Sequence, residues 1–137
     1  MSELKYGRYL HHYETDSDGV CHFSNYFRIF EEAFLSALRE IMTADFAPPS
    51  LDHSFAVTEA IARYYLPIKY GDFLNVNFLF AKVGGSFLVA SASIFVNDAL
   101  CAELSGKFVA IRKIDNKSSP LNLLLRNALK NHMKDQI

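Results

Sequence analysis

The chain has 137 residues, of which half are apolar and 21% are charged, and its formal net charge is −1 at pH 7. These values predict one globular domain over residues 1–137, with a buried core and no basic field to attract nucleic acid or an anionic membrane. The two cysteines form no disulfide framework, and we see neither a signal segment nor an apolar run of membrane-spanning length, so we expect a cytoplasmic protein.

A first strand is predicted over residues 5–13, and an acidic turn follows it. That turn contains Asp16, Asp18 and Gly19, and glycine allows a tight turn because it adopts positive φ without penalty. The N–H groups in the first turn of a following helix are unpaired, so they can bind an anion or a developing oxyanion. Asp16 is therefore a candidate catalytic carboxylate, and ordinary turn-and-cap chemistry is the alternative.

Two kinds of metal site are weighed for this segment, and neither is favoured. An EF-hand-like spacing is present in Glu14, Asp16, Asp18, Gly19 and Asn25. Its last position is an asparagine where a calcium loop needs a bidentate glutamate, and a strand precedes it where a helix is needed. Cys21 and His22 are adjacent, so they rarely reach one transition metal together, and the remaining ligands are missing. We therefore predict no metal.

A long helix is predicted over residues 24–42, with Ser24 or Asn25 as its N-cap. It is apolar almost all round, which is typical of a helix buried within its own domain. A sheet curled around this one helix would bury it. Glu31 lies off the centre of the narrow polar stripe. If its role is structural, we expect a buried glutamate that pairs with a nearby backbone group or base.

The remaining pattern is dominated by strands. A loop is predicted over 43–53, strands over 54–65, 73–82, 86–96 and 100–112, and a terminal helix over 120–133. Gly84-Gly85 and Asn97-Asp98 predict hairpin turns. One strand, one buried helix and a run of antiparallel strands define an α+β fold.

Two motifs stand in order along the chain. They are Asp16-Ser17-Asp18-Gly19-Val20 followed by Phe23-Ser24-Asn25-Tyr26 and Phe30-Glu31, and then Tyr64-Tyr65-Leu66-Pro67 followed by Tyr70-Gly71-Asp72. Together they resemble the hotdog-fold acyl-CoA thioesterases, and most of all the 4-hydroxybenzoyl-CoA thioesterase group, over residues 5–113. The resemblance implies a hotdog fold, in which a curled antiparallel sheet wraps around one long central helix, here with a C-terminal helix added.

The resemblance also implies roles for individual residues. Asp16 would be the catalytic carboxylate, and the backbone N–H of Phe23 would polarise the thioester carbonyl. A second branch of hotdog thioesterases has its carboxylate on the central helix, which makes Glu31 the second candidate. Expected substrate contacts near this site are Gly19, Val20, His22, Asn25 and Tyr26. Candidates for the CoA nucleotide are Arg63, Lys82, Gly85, Ser86, Lys107, Arg112 and Lys113.

The function implied is hydrolysis of an acyl thioester of CoA or of an acyl carrier protein, without a metal or redox cofactor. The resemblance also implies a dimer, or a dimer of dimers, with sites at the subunit interface. An open curled sheet favours dimerisation as well, because its edge strand needs cover. Ser17 and Asp18 depart from the family pattern, so a non-catalytic acyl-binding protein stays an alternative. A hotdog dehydratase that uses His22 with an acid is another. The acyl group stays open, as does the choice of nucleophile or general base for Asp16.

Overall fold

The computed structural model describes residues 3–42 and 53–134, and these form five strands, two helices and one 3-10 turn. In chain order they are β1 (Leu4–Tyr9), the 3-10 turn (His12–Glu14), α1 (Ser24–Met42), β2 (His53–Tyr64), β3 (Phe73–Val83), β4 (Phe87–Val96), β5 (Ala99–Arg112) and α2 (Leu123–Lys134). Apart from His53, which begins β2, the loop predicted over 43–53 lies outside the described residues. Neither described helix is long and apolar enough to cross a bilayer.

The described strands form one antiparallel sheet in the order β1-β3-β4-β5-β2. The predicted meander of β3, β4 and β5 is confirmed, and each predicted strand from β2 onward lies within one residue of its observed bounds. Asn97 and Asp98 have φ of 49° and 66°. Two consecutive left-handed residues match the twist of a tight hairpin, which explains the turn between β4 and β5.

The sheet packs its concave face against α1. In β3 the alternating residues Leu74, Val76, Phe78 and Phe80 are buried, as the sequence pattern predicts. The ring of Phe34 stacks on that of Phe108 with centroids 4.3 Å apart, in the middle of a cluster of phenylalanines. A curled sheet around a long central helix is therefore confirmed.

The burial of α1 follows the prediction with one exception. Eight apolar residues of the helix are buried, namely Tyr26, Ile29, Phe30, Ala33, Phe34, Ala37, Leu38 and Met42, and Phe27 and Ile41 are partly buried against the core. The exception is Leu35, which is 43% exposed. The other exposed positions of the helix are polar.

The first strand is shorter than predicted. It ends at Tyr9, and Leu10 is buried with its N–H donating to the carbonyl of Asp72 at 3.0 Å. The chain then forms the 3-10 turn, in which the Glu14 N–H donates to the carbonyl of His11. The expectation of a strand through residue 13 is wrong because these local bonds replace the sheet ladder.

The last helix begins later than predicted, at Leu123 instead of Pro120. The side-chain oxygen of Asn122 accepts the N–H groups of Leu124 and Leu125, at 2.9 and 3.3 Å. Asparagine is a strong N-cap because its side chain satisfies N–H groups that the first turn leaves unpaired. This cap sets the start of α2.

The phenylalanine cluster gives a stability prediction. Phe34→Ala should lower the free energy of unfolding by about 3–5 kcal/mol, because it leaves a cavity at the centre of the helix–sheet contact. Leu35→Ala, the matched control on the exposed face of α1, should lower it by less than about 1 kcal/mol. Urea unfolding followed by circular dichroism measures both. Equal losses for the two variants would contradict this account of the core.

Candidate functional site

The acidic loop, residues 15–21, connects the 3-10 turn to α1. Its ends are held by main-chain bonds: the Asp16 N–H donates to the Val20 carbonyl at 2.8 Å, and the Gly19 N–H donates to the Asp16 carbonyl at 3.0 Å. Gly19 has φ of 81°, a conformation that L side chains rarely adopt, while a Cβ there would touch nothing within 4 Å. The position therefore needs glycine for its backbone conformation and not for space.

The carboxylate of Asp16 is held at one oxygen. Its Oδ1 accepts the N–H of Asp18 at 2.8 Å and that of Val20 at 3.4 Å. Within residues 3–42 and 53–134, Oδ2 has no hydrogen-bond donor, and the side chain is half-buried. The turn-and-cap interpretation of Asp16 is thus correct for one oxygen, and the second oxygen is available for chemistry.

The backbone N–H groups around the N-terminus of α1 differ in whether they have an acceptor. The N–H of Ser24 donates to Nδ1 of His22 at 3.2 Å, that of Asn25 to the His22 carbonyl at 2.9 Å, and that of Tyr26 to the Phe23 carbonyl at 3.4 Å. Among the described residues, the N–H of Phe23 has no acceptor, and Phe23 is 65% exposed. Within the described residues this amide is therefore left without a partner.

The histidine beside that amide caps the helix. Nδ1 of His22 accepts the Ser24 N–H and also lies 2.8 Å from the Ser24 hydroxyl. The expectation that Ser24 or Asn25 caps α1 is wrong, because the imidazole takes that role.

Glu14 fastens this region to the rest of the fold. Its carbonyl accepts the His22 N–H at 2.9 Å and the Asn25 side-chain amide at 2.8 Å. Both donors flank Phe23 in the chain. The expected substrate contacts His22 and Asn25 therefore use polar groups within the protein to position the helix start.

The carboxylate of Glu14 belongs to a buried ionic cluster. Arg8 Nη1 and Nη2 donate to its two oxygens at 2.7 and 2.6 Å, and the His11 N–H donates to it at 2.9 Å. Burial alone would raise the pKa of the Glu14 carboxyl, but these donors and the Arg8 charge outweigh it and hold the pKa below its ordinary value. The stabilisation is therefore present at neutral pH and is lost in acid, as the pH falls through that lowered value.

Glu32 on α1 completes the cluster. Its Oε1 accepts Arg8 Nε at 2.6 Å and the Tyr6 hydroxyl at 2.7 Å, and burial together with this bond raises the pKa of Tyr6 to about 12. Sequence reasoning missed Arg8, Glu14 and Glu32 as a group. The signal was Arg8 itself, a charged residue on the same face of β1 as the buried Leu4.

Glu31, the candidate glutamate on this helix, does not belong to the cluster. It is exposed, so the structural interpretation of Glu31 as a buried residue is wrong. The glutamate with buried partners is its neighbour Glu32. In the part of the chain that the structure describes, no group of three His, Cys, Asp or Glu side chains could hold a metal ion.

Two residues at the base of the site are buried. Tyr26 packs edge-on against Tyr64 with ring centroids 4.8 Å apart, and burial raises its pKa. Burial also raises the pKa of Cys21 to about 11, and the negative charge of Glu14 adds to the effect. Tyr26, one of the expected substrate contacts, therefore lies in the core.

The candidates for the CoA nucleotide fall into two places. Arg63 is exposed on β2 and lines a cavity of about 210 Å³ with Glu103 and a row of serines. Gly85 and Ser86 form the turn between β3 and β4 and line a separate cavity of about 530 Å³, where Arg126 donates to the Gly85 carbonyl at 3.3 Å. The structure does not bring Arg63 and this turn together within one chain.

Two of the candidate lysines share one aromatic contact. The ammonium groups of Lys82 and Lys107 lie 5.7 and 4.7 Å from the ring centroid of Phe87. Such contacts between a cation and an aromatic ring are weakly stabilising at exposed sites. Arg112 pairs with Asp115 at 2.7 Å, so its charge is already partly neutralised.

Comparison with known proteins gives the following matches. The thioesterase superfamily model matches residues 18–102, a range that begins just after Asp16. A 1,4-dihydroxy-2-naphthoyl-CoA hydrolase from Prochlorococcus marinus (strain NATL2A) is 28% identical over 130 residues, covering 86% of this chain and 84% of that protein.

Two solved structures are similar over nearly their whole length. A 1,4-dihydroxy-2-naphthoyl-CoA thioesterase from Synechocystis has a TM-score of 0.85 at 20% identity, covering 95% of this chain and 97% of that one. A Staphylococcus aureus protein in complex with CoA has a TM-score of 0.88 at 14% identity, covering 99% and 87%. At these identities the likeness concerns the fold, and it confirms the predicted hotdog architecture.

The buried thiol gives a prediction about chemistry. With a pKa of about 11, fewer than about one Cys21 in a thousand is a thiolate at pH 7.5, so the residue should not act as a nucleophile. Iodoacetamide should leave both Cys21 and Cys101 unmodified in the folded protein and modify both in guanidinium, as mass spectrometry of peptides would measure. Rapid modification of Cys21 in the folded protein would show that the thiol is accessible and reactive.

Proposed function

Because the chain belongs to the thioesterase superfamily, we propose that it hydrolyses the thioester of an acyl-CoA with Asp16 as the catalytic carboxylate. The N–H of Phe23 would donate to the thioester carbonyl. The observation that supports this most strongly is the pairing of two free groups around one short loop. One oxygen of Asp16 is without a donor, and the Phe23 amide is without an acceptor, among the described residues.

The chemistry can follow one of two routes. As a nucleophile, an Asp16 oxygen attacks the carbonyl carbon, the tetrahedral oxyanion collapses to expel the CoA thiolate, and water cleaves the resulting anhydride to regenerate the carboxylate. As a general base, Asp16 takes a proton from the water that attacks. In both routes negative charge develops on the carbonyl oxygen, where the Phe23 N–H and the positive end of the α1 dipole stabilise it.

An aromatic acyl group is the substrate we favour. Two of the matched proteins are named for 1,4-dihydroxy-2-naphthoyl-CoA. The Cys21 N–H donates to the Ile68 carbonyl at 2.7 Å, which brings the segment between β2 and β3 alongside the acidic loop. Tyr13, Tyr65 and Tyr70 are exposed on these neighbouring segments. Exposed tyrosines offer apolar faces for an aryl ring, although the Tyr65 hydroxyl already donates to Glu103 at 2.6 Å.

A second copy of the chain would complete the site. β2 is an edge strand, paired on one side by β5. Val57 and Ile61 are 58% and 56% exposed, and Glu59 and Ala60 beside them are exposed too. A strand that is open on both faces and along one edge is a hazard for uncontrolled pairing unless another chain covers it. We propose a homodimer that joins two β2 strands.

The role of Asp16 is tested by a charge-neutral replacement. Asp16→Asn should lower kcat by about 100- to 10,000-fold, because the amide still accepts the loop N–H groups but neither attacks nor takes a proton. Thiol release from benzoyl-CoA, 1,4-dihydroxy-2-naphthoyl-CoA, hexanoyl-CoA and palmitoyl-CoA measures the rates. The aryl esters should be the better substrates.

Asp18→Asn is the matched control, since it removes the same charge from the same loop while Asp18 contributes only its backbone N–H to Asp16. It should keep kcat within about threefold of wild type. Near-wild-type turnover by Asp16→Asn would refute the assignment. If wild type released no thiol from any CoA ester, the CoA proposal would fall, and acyl carrier protein esters would be the next substrates to assay.

The proposed pairing of two β2 strands is tested by introducing a charged side chain into β2. Ile61→Lys should convert a dimer into monomers, because each chain would place an unpaired charge in the apolar strip that the proposed pairing buries. The control is Ile114→Lys, at an isoleucine that is 92% exposed outside the sheet edge. Light scattering after size exclusion gives the mass of each. A monomeric wild type, or a dimer that tolerates Ile61→Lys, would contradict the proposed interface.

A further inference from the structure

The Arg8–Glu14 pair lies between β1 and the acidic loop. Arg8 projects from β1, which is an edge of the sheet, and its guanidinium donates to both oxygens of Glu14. The same guanidinium donates to the Tyr9 carbonyl at 2.9 Å and to Glu32 at 2.6 Å. Two parallel bonds between a planar guanidinium and a carboxylate define their relative orientation more tightly than a single contact does.

Glu14 connects the oriented Arg8–Glu14 pair to the proposed catalytic groups. Its carboxylate is anchored to β1, while its carbonyl accepts from His22 and Asn25 on either side of Phe23. Asp16 follows shortly after Glu14 on the acidic loop. One residue therefore connects the sheet, the loop that carries the carboxylate and the amide that would bind the oxyanion.

Neither member of the pair can reach a substrate. The Glu14 side chain is 1% exposed and that of Arg8 is 12% exposed. Every oxygen of the Glu14 carboxylate is occupied by donors from Arg8 or His11. The pair therefore takes no direct part in the chemistry that Asp16 is proposed to perform.

A stabilising role alone explains the pair poorly. Removing two charges from water is costly, and well-packed apolar side chains often give equal or greater stability in the same volume. What the ionic pair supplies is a fixed geometry. Acyl transfer depends strongly on such geometry, since a displacement of about 1 Å can cost about 100-fold in rate.

We propose that Arg8 and Glu14 are positioning residues for thioester hydrolysis, which set the distance between the Asp16 carboxylate and the Phe23 N–H. The proposal rests on the function proposed above. Glu32 on α1 contributes to the same positioning, because its Oε1 accepts the Nε–H of the Arg8 guanidinium. The pair should affect the rate of the chemical step and not the binding of substrate.

Kinetics provide the first test. Glu14→Gln keeps the side-chain shape but turns an amide NH₂ toward Arg8, so kcat for benzoyl-CoA should fall about 10- to 100-fold. KM should change by less than about threefold, because the lost interaction acts on the transition state and not on ground-state binding. Arg8→Lys keeps the charge but loses the two parallel bonds, so its kcat should also fall while its KM stays nearly constant. This variant provides the test if Glu14→Gln fails to fold.

The matched control is Glu3→Gln, the same chemical change just before β1, the strand that carries Arg8. It removes the carboxylate of the Lys5–Glu3 pair, whose atoms lie 3.9 Å apart on the exposed surface. Both kcat and KM should stay at the wild-type values. Unchanged kcat in Glu14→Gln and Arg8→Lys, or a rise in KM that accounts for the whole loss, would overturn the proposal.

Hydrogen exchange gives a second test that needs no turnover. In Glu14→Gln, amides in residues 15–26 should exchange at least about tenfold faster, while those of β4 and β5 keep their rates. A uniform acceleration through the whole chain, or none, would overturn the positioning role. If wild type proved inactive on every thioester, the proposed function would fail on that result, and the exchange pattern would still decide whether the pair orders the loop.

Discussion

The double hydrogen bond from Arg8 to Glu14 is the interaction on which the geometry of the candidate site depends. The hydrophobic packing of α1 against the sheet determines where the helix lies, but it says little about the loop that leads into it. That loop is short, and of its residues 15–21 only Cys21 is buried. The end of the loop is attached to the segment before β3 by the bond from the Cys21 N–H to the Ile68 carbonyl. The start of the loop follows from Glu14, whose carboxylate is bound by β1 and whose carbonyl is bound by the start of α1.

The rest of the fold supports this arrangement by holding α1 rigidly against the sheet. Phenylalanines on α1, β3 and β5 interlock on the concave side of the sheet, so the helix cannot shift without opening the core. The helix N-terminus and the acidic loop then project from a rigid base, as functional loops commonly do. The open edge along β2 and the exposed tyrosines near the loop are surfaces that a second copy and an acyl group would cover under the proposed function.

Much of this fold was predictable from sequence, for identifiable reasons. α1 was predicted at Ser24–Met42 because its apolar periodicity is long and unbroken, and β3 to β5 because their residues alternate between turns rich in Gly, Asn and Asp. The ends of β1 and α2 were missed, since a 3-10 turn and the Asn122 cap override the local pattern. The Arg8–Glu14 pair was also missed. The sequence places Arg8 on the buried face of β1, but it does not show which carboxylate Arg8 meets across the turn.

The site was predictable to the level of a segment, and the roles within it were not. The motif around Asp16 and Phe23 pointed to the loop and the helix start, while the capping role of His22 depends on which way its ring turns. The most direct measurement is a crystal structure of the Asp16→Asn variant with intact benzoyl-CoA. We predict the thioester oxygen about 3 Å from the Phe23 nitrogen, with the side chain of position 16 beside the carbonyl carbon. A thioester bound away from both groups, for instance beside Glu31, would contradict the account.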